Sequence, residues 1–220
     1  MPVKRSYADH GDSCATAHGM ELIGDRWTHP ILRELMLAPK RFSELEASVR
    51  GVTPAVLSAR LRTLEASGLV QRTTLPPPAR AAAYELTDWA RGLRPIFRDL
   101  AHWAHGSPTW RPDHGGLTPD GIAESMMTMA PAASFDPPLR LQLDLHDART
   151  PGEPTYSYAL TWGDTLDIVR GTAPDAAATI TGDSTTWTEV VYSGRDLGDV
   201  TVEGDVAAVR RLLAAFTPAR

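Results

Sequence analysis

Gly24-Asp25-Arg26-Trp27, then Thr53-Pro54-Ala55-Val56-Leu57-Ser58-Ala59-Arg60-Leu61-Arg62 and a run reaching Trp103, decide the fold of the first half of this chain. Ahead of them Ala17, Met20, Leu22 and Ile23 recur at helical spacing and Gly24 closes the run, which predicts a helix over 15–24. Trp27, Ile31, Leu32 and Leu35 form one apolar face of a second helix over 27–37. Pro30 is tolerated in its first turn and Pro39 stops it. Phe42, Leu45 and Val49 lie on one side of a short third helix, and Arg50-Gly51-Val52 supplies a turn. Thr53 before Pro54 is a capping hydroxyl followed by proline at the first helical position, so a fourth helix starts there. It runs to Ser67, and Gly68 ends it. Leu57, Leu61 and Leu64 point it at a core, which turns Ala55, Ser58, Ala59 and Arg62 outward, with Arg60 and Thr63 on the flanks.

Leu69-Val70-Gln71-Arg72-Thr73-Thr74 and the segment 81–86 are a strand pair, and the proline-rich Leu75-Pro76-Pro77-Pro78-Ala79-Arg80 between them is too stiff for a tight turn. Thr87 caps a last helix in which Trp89, Leu93, Ile96, Phe97, Leu100 and Trp103 build a long apolar stripe. Helices followed by a hairpin in this order describe a winged helix-turn-helix. Small residues with an arginine on the outer face of the fourth helix suit a major groove, where bulk prevents close approach and arginine reads guanine; an ordinary solvated face is the alternative. Double-stranded DNA is the first expected partner, with contacts at Arg41, Thr53, Pro54, Ala55, Ser58, Arg60, Arg62, Arg72 and Arg80. The stripe exceeds the needs of a small domain and is expected to be covered in part by a second subunit.

At 220 residues and 42% hydrophobic content the chain supports two domains. Residues 1–114 hold 15 Lys+Arg against 12 Asp+Glu, a net of +3, whereas residues 115–220 hold 7 against 15, a net of −8. Only the first half is suited to phosphates, whose contacts supply most nucleic-acid affinity. The lone cysteine, Cys14, excludes an internal disulfide and a cysteine-rich zinc site. No secretion-signal pattern and no apolar run of membrane-spanning length is present, so a cytoplasmic location and no membrane partner are expected. Lysine occurs only at positions 4 and 40 against 20 arginines, and asparagine is absent, which fits a GC-rich, actinobacterial codon usage.

With these residues the segment 12–104 resembles the HxlR-type winged-helix regulators, relatives of the MarR class. The resemblance rests on Cys14, Gly24-Asp25-Arg26-Trp27, Ile31-Leu32-Arg33-Glu34-Leu35, Arg41-Phe42-Ser43-Glu44-Leu45, Val56-Leu57-Ser58-Ala59-Arg60-Leu61, Gly68-Leu69-Val70, Tyr84-Glu85-Leu86-Thr87 and Trp103. It implies a homodimer joined through its first and last helices on a palindromic operator. Asp25 stands where that family usually has lysine, and the wing is richer in proline and alanine. In parts of the family a cysteine before the first helix responds to electrophiles or oxidants. Cys14 matches that position, and a helix start can lower a thiol pKa; the alternative is a small residue inherited with the fold.

In the second half, 107–118 is a glycine- and proline-rich linker. Thr118-Pro119 repeats the cap-plus-proline signal, and Ile122, Met126, Met127, Met129 and Ala130 give the next helix an apolar face. Leu139, Leu141, Leu143 and Leu145 alternate with polar residues in a half-buried strand, followed by strands over 155–161, 165–170 and 177–181. Gly182-Asp183 opens a helix ending at Ser193-Gly194; an extended piece over 200–203 precedes a last helix opened by Gly204-Asp205. Antiparallel strands with helices give an α+β layer. The order resembles the sterol-carrier-protein-like fold over 119–217, which implies an apolar tunnel. Met126, Tyr156, Tyr158, Trp162, Trp187 and Phe216 are candidates to line it, with plain core packing as the alternative for each.

No phosphate loop, dinucleotide-binding glycine run or nucleophile elbow occurs, and His102 with His105 lacks a third ligand nearby, so neither an enzyme nor a cofactor or metal is expected. The expected protein is α+β: a winged helix-turn-helix over 1–106, a linker over 107–118 and a sterol-carrier-like domain over 119–220. Its expected function is a dimeric, ligand-responsive repressor whose effector is a small hydrophobic metabolite of polyketide or lipid-like type. The alternatives are a hydrophobic-ligand carrier that uses the winged helix for dimerisation, and a thiol sensor acting through Cys14.

Overall fold

The computed structural model describes residues 7–11, 13–110, 115–150, 152 and 154–216, so residues 111–114 of the expected linker lie outside it. The chain divides into two compact units, Met1–Gly92 and Leu93–Arg220.

The first unit contains α1 (Ala15–Ile23), α2 (Thr28–Leu35), α3 (Phe42–Ser48), α4 (Pro54–Ala66), β1 (Val70–Thr74), β2 (Ala82–Leu86) and α5 (Asp88–Arg91). Thr53 caps α4 as its position predicts, its hydroxyl accepting the Val56 N–H. Ile31, Leu32 and Leu35 of α2, Leu45 of α3, Leu57, Leu61 and Leu64 of α4 and Leu69, Val70 and Leu86 beside the hairpin form one closed core. Arg72 pairs with Tyr84 in the β1–β2 register. Lys40 adds a third edge through Lys40 N–H to Tyr84 O at 3.0 Å and Tyr84 N–H to Lys40 O at 2.8 Å. Its ammonium lies 2.6 Å from Glu34 Oε2, and the Glu34 side chain is fully buried. This pair fastens the wing's edge to α2. No residue of α1 is buried, and Met20 stands 55% exposed in the single chain.

The last helix of the winged segment differs from the continuous one expected. Thr87 caps α5 by accepting the Ala90 N–H, but α5 stops at Arg91, and α6 (Arg94–His105) starts in the second unit. Pro95 is the cause: its ring cannot donate to, and collides with, the carbonyl four residues earlier, that of Arg91.

The second unit continues with α7 (Pro119–Thr128), β3 (Leu139–His146), β4 (Tyr156–Trp162), β5 (Leu166–Arg170), β6 (Ala178–Asp183), α8 (Ser184–Ser193), β7 (Thr201–Gly204) and α9 (Val206–Phe216). The strands make one sheet in the order β5-β4-β3-β6-β7. The sheet is mixed, not antiparallel throughout as expected: β3 and β6 run parallel, with Leu143 opposite Ile180. Alternating hydrophobicity reveals which face of a strand is buried but not which neighbour it pairs with. Leu139, Leu141, Leu143, Leu145, Tyr158, Leu160, Trp162, Ile168 and Ile180 share one buried face. Helices α7, α8 and α9 all contact the sheet, and α8 contacts both α7 and α9. Hydroxyl and carboxylate caps open the helices as expected: Thr118 accepts from Gly121 N–H, and Asp183 from Thr185 and Thr186 N–H. Gly194 ends α8 at φ 71°, a conformation glycine adopts without Cβ strain.

Candidate nucleic-acid interface

Helix α4 owes its position to three leucines on one side, Leu57, Leu61 and Leu64, each 1% exposed or less. On its other side Ala55, Val56, Ala59, Arg62 and Thr63 are exposed and Ser58 is half-buried, while Thr53 and Pro54 are exposed at its start. Val56, exposed at 40%, belongs to this face although the leucine spacing did not single it out. Its apolar side chain is suited to a thymine methyl.

The five candidate arginines differ in their electrostatics. Arg41 Nη2 lies 3.2 Å from Glu44 Oε1, and Arg72 Nε 2.8 Å from Glu65 Oε1. Arg72 also stands over the Tyr84 ring at 5.7 Å. The Glu65 hydrogen bond raises the Arg72 pKa further. Arg60 is held by Asp25. Arg62 makes no ion pair or side-chain hydrogen bond among the described residues. Arg80 is exposed at the wing with φ 39°. The sequence placed all five near DNA; the Glu44 carboxylate on Arg41 is its i+3 neighbour at the start of α3, whereas those on Arg60 and Arg72 come from a turn and a neighbouring helix that spacing along one element does not bring together.

Cys14 is exposed at the start of α1. Hydrogen bonds from the Ala17 and Thr16 backbone N–H groups, with the Thr16 hydroxyl, hold its pKa below the ordinary thiol value.

Among the six residues considered for an apolar tunnel, Met126, Tyr158, Trp162 and Trp187 are buried, and Tyr156 and Phe216 are half-buried. Trp162 and Phe216 meet edge-on at 5.4 Å, and this contact extends to Phe135, 5.2 Å from Trp162, and Tyr192, 5.9 Å from Phe216. Phe135 and Tyr192 were not legible as members, because loop and helix bring them there from separate parts of the sequence. Tyr192 is 40% exposed overall, and it is the local enclosure of its hydroxyl that raises the phenol pKa, with the Ser125 hydrogen bond opposing it. The other residues satisfy separate requirements. Trp162 Nε1–H donates to Ala133 O at 3.0 Å, and the Tyr158 hydroxyl donates to Asp120 Oδ1 at 2.7 Å. Buried Asp120 also receives Arg170 Nε at 2.9 Å, and Arg170 covers the Tyr156 ring at 4.4 Å. Burial opposes the Arg170 charge, but the Asp120 hydrogen bond and charge outweigh it and the pKa rises. Trp187 Nε1 is buried with no hydrogen-bond acceptor among the described residues. A second ion pair, Arg94 Nη2 to Glu124 Oε2 at 2.8 Å, ties α6 to α7. Burial raises the Glu124 pKa, with Arg94 opposing it.

Among the described residues no helix is long and apolar enough to cross a membrane, and no three His, Cys, Asp or Glu side chains are grouped to hold a metal ion. His105 Nδ1 is 2.7 Å from Ala101 O, and its ring packs against Trp110 at 5.3 Å.

The family profile described as HxlR-like helix-turn-helix matches residues 22–109. Two curated proteins of Bacillus subtilis (strain 168) are similar over this region. The uncharacterized HTH-type transcriptional regulator YvaP is 35% identical over 85 residues, which are 39% of this chain and 79% of YvaP. The HTH-type transcriptional regulator YodB is 34% identical over 83 residues, 38% of this chain and 74% of YodB. The solved reduced form of YodB from B. subtilis is 29% identical with a TM-score of 0.41, covering 44% of this chain and 97% of that one. The α4 helix with its capped start, the hairpin behind it, the profile match and the sequence identity to YvaP and YodB agree: the chain belongs to the HxlR-like helix-turn-helix family of DNA-binding transcriptional regulators.

Proposed function

We propose that this protein is a homodimeric repressor that binds a palindromic operator through α4 and the wing and releases it when a small hydrophobic metabolite occupies the second unit. The observation that carries the DNA side is the exposed face of α4: small residues, a capped N-terminus and Arg62, which has no ion pair among the described residues. Of the first-turn donors, the Thr53 hydroxyl takes the Val56 N–H, Thr53 O takes the Leu57 N–H and Pro54 has none, which leaves the Ala55 N–H for an incoming phosphate. On the effector side the reading is supported by the one-sided apolar sheet and by an aromatic group, Phe135, Trp162, Tyr192 and Phe216, whose outer members are not fully buried. The net charge of −8 over residues 115–220 favours an uncharged or apolar guest over a phosphate. By linkage, an effector that binds the DNA-free conformation about a hundredfold better than the bound one shifts the equilibrium by about 2.7 kcal/mol per site.

A mobility shift on DNA upstream of the protein's own gene, repeated with an organic extract of the producing cells, tests the reading. A salt-sensitive shift released by the extract supports it. A shift that ignores every extract fraction removes the effector, and no shift on any DNA favours the carrier alternative.

The Cys14 thiol supports a second reading, direct thiol sensing, because it is exposed and held toward the reactive thiolate at a helix start. The solved structure of the relative YodB is described as its reduced form. Cys14→Ser separates the two: an inducer response that survives the substitution is not thiol-controlled.

A further inference from the structure

Arg60 lies on the flank of the helix proposed to enter the groove, yet its guanidinium faces the turn between α1 and α2. There the Asp25 carboxylate takes Nη2. Asp25 is itself fixed, since its other oxygen accepts the Trp27 N–H at 2.9 Å. Side-chain exposure is 24% for Arg60 and 33% for Asp25, against 49% and 68% for the paired Arg41 and Arg72. The Arg60 Nε is withdrawn from solvent and has no acceptor among the described residues. Exposed pairs such as those of Arg41 and Arg72 exchange readily for a phosphate. The Arg60 guanidinium is the most enclosed of the three, and drawing it out would leave the Asp25 carboxylate without its partner and the Arg60 Nε without its sheltered position.

We infer that Asp25 is a positioning residue for DNA recognition: by holding Arg60 in an ion pair it withholds one cation per subunit from the phosphate backbone and leaves binding to the exposed face around Arg62. Each phosphate neutralised by a free cation adds affinity without regard to sequence and steepens the salt dependence. A cation already bound to a carboxylate adds neither. Asp25 thereby lowers attachment to arbitrary DNA while leaving base-edge contacts untouched, which raises the ratio of specific to non-specific binding. The inference rests on the DNA-binding reading above.

The test uses the full chain and two labelled duplexes, one of random sequence and one from upstream of its own gene, titrated over a range of salt. Asp25→Asn keeps an oxygen for the Trp27 N–H but removes the charge. It should bind the random duplex about fivefold to tenfold more tightly per subunit near 0.1 M salt, with a slope of log affinity against log salt steeper by about 0.9 per subunit. The preference for the upstream duplex should narrow. Arg60→Gln alone should leave the slope unchanged, and the double variant should return to the wild-type slope.

An unchanged slope in Asp25→Asn overturns the inference. So does a shallower slope in Arg60→Gln, which means that Arg60 already touches a phosphate. A gain that persists in the double variant reduces the effect to simple charge removal and overturns it too. If Asp25→Asn does not fold, the Arg60→Gln slope alone decides. A wild-type protein that binds neither duplex sinks the DNA-binding reading itself, an outcome distinct from all of these.

Discussion

Arg62 and Lys40 show how differently two basic residues of one small unit can act. Arg62 is exposed on α4 with no acid paired to it among the described residues, so its charge is available to a ligand. If it reads a base edge, Arg62→Ala should weaken operator binding by about 1–3 kcal/mol and relax the sequence preference at that position, as measured by titration on matched and mutated duplexes. Thermal stability should stay within about 0.5 kcal/mol, since nothing in the protomer depends on it. Lys40 is the reverse case. With its side chain 7% exposed and its ammonium 2.6 Å from fully buried Glu34, its removal leaves a carboxylate in the core. Arg33 Nη2, 3.0 Å from Glu34 Oε1, compensates in part. Lys40→Ala should therefore cost about 3 kcal/mol, the low end for a broken buried pair, measured by urea unfolding. The leucine spacing disclosed Arg62 because direction on a helix is periodic. It did not disclose Lys40, whose partner lies on a different element.

At the scale of elements, the caps and stops were the most legible features. Thr53, Thr87, Thr118 and Asp183 each cap the helix that their positions predict, because a short side-chain oxygen satisfies backbone N–H groups only one turn away. The interruption between α5 and α6 was also written locally, in Pro95, although the apolar stripe ran across it and suggested one helix. That stripe has a consequence of its own. On α6, Ile96, Leu100 and Trp103 are 52%, 45% and 77% exposed in the single chain, an apolar surface that monomeric proteins seldom leave in water. If a second subunit covers α6, Trp103→Arg should leave the protomer folded, with a stability change within about 0.5 kcal/mol. It should shift the protein to monomer in sedimentation velocity, and operator binding should fall with it. A dimer unaffected by this change would place the interface elsewhere.

Across the whole molecule, the charge division at residue 114 and the family match ending at residue 109 fall close together, while the compact units divide earlier, between Gly92 and Leu93. Helix α6 is thus part of the family match and yet is tied to α7 by the Arg94–Glu124 pair. If α6 relays effector occupancy to the operator, a chain ending at Gly116 should keep its operator affinity in a mobility shift and lose all response to extract. A retained response would exclude the second unit as the sensor. The sequence by itself determined the helices, their caps, the buried face of each strand and the DNA-binding family, because periodicity, capping and turn chemistry act over a few residues. Only the tertiary structure decided that β3 and β6 run parallel, that Phe135 and Tyr192 join Trp162 and Phe216, and that Asp25 and Glu65 occupy two of the five candidate arginines. Strand partners, aromatic neighbours and counter-charges are settled by which distant segments fold against each other, and local spacing carries little record of that choice.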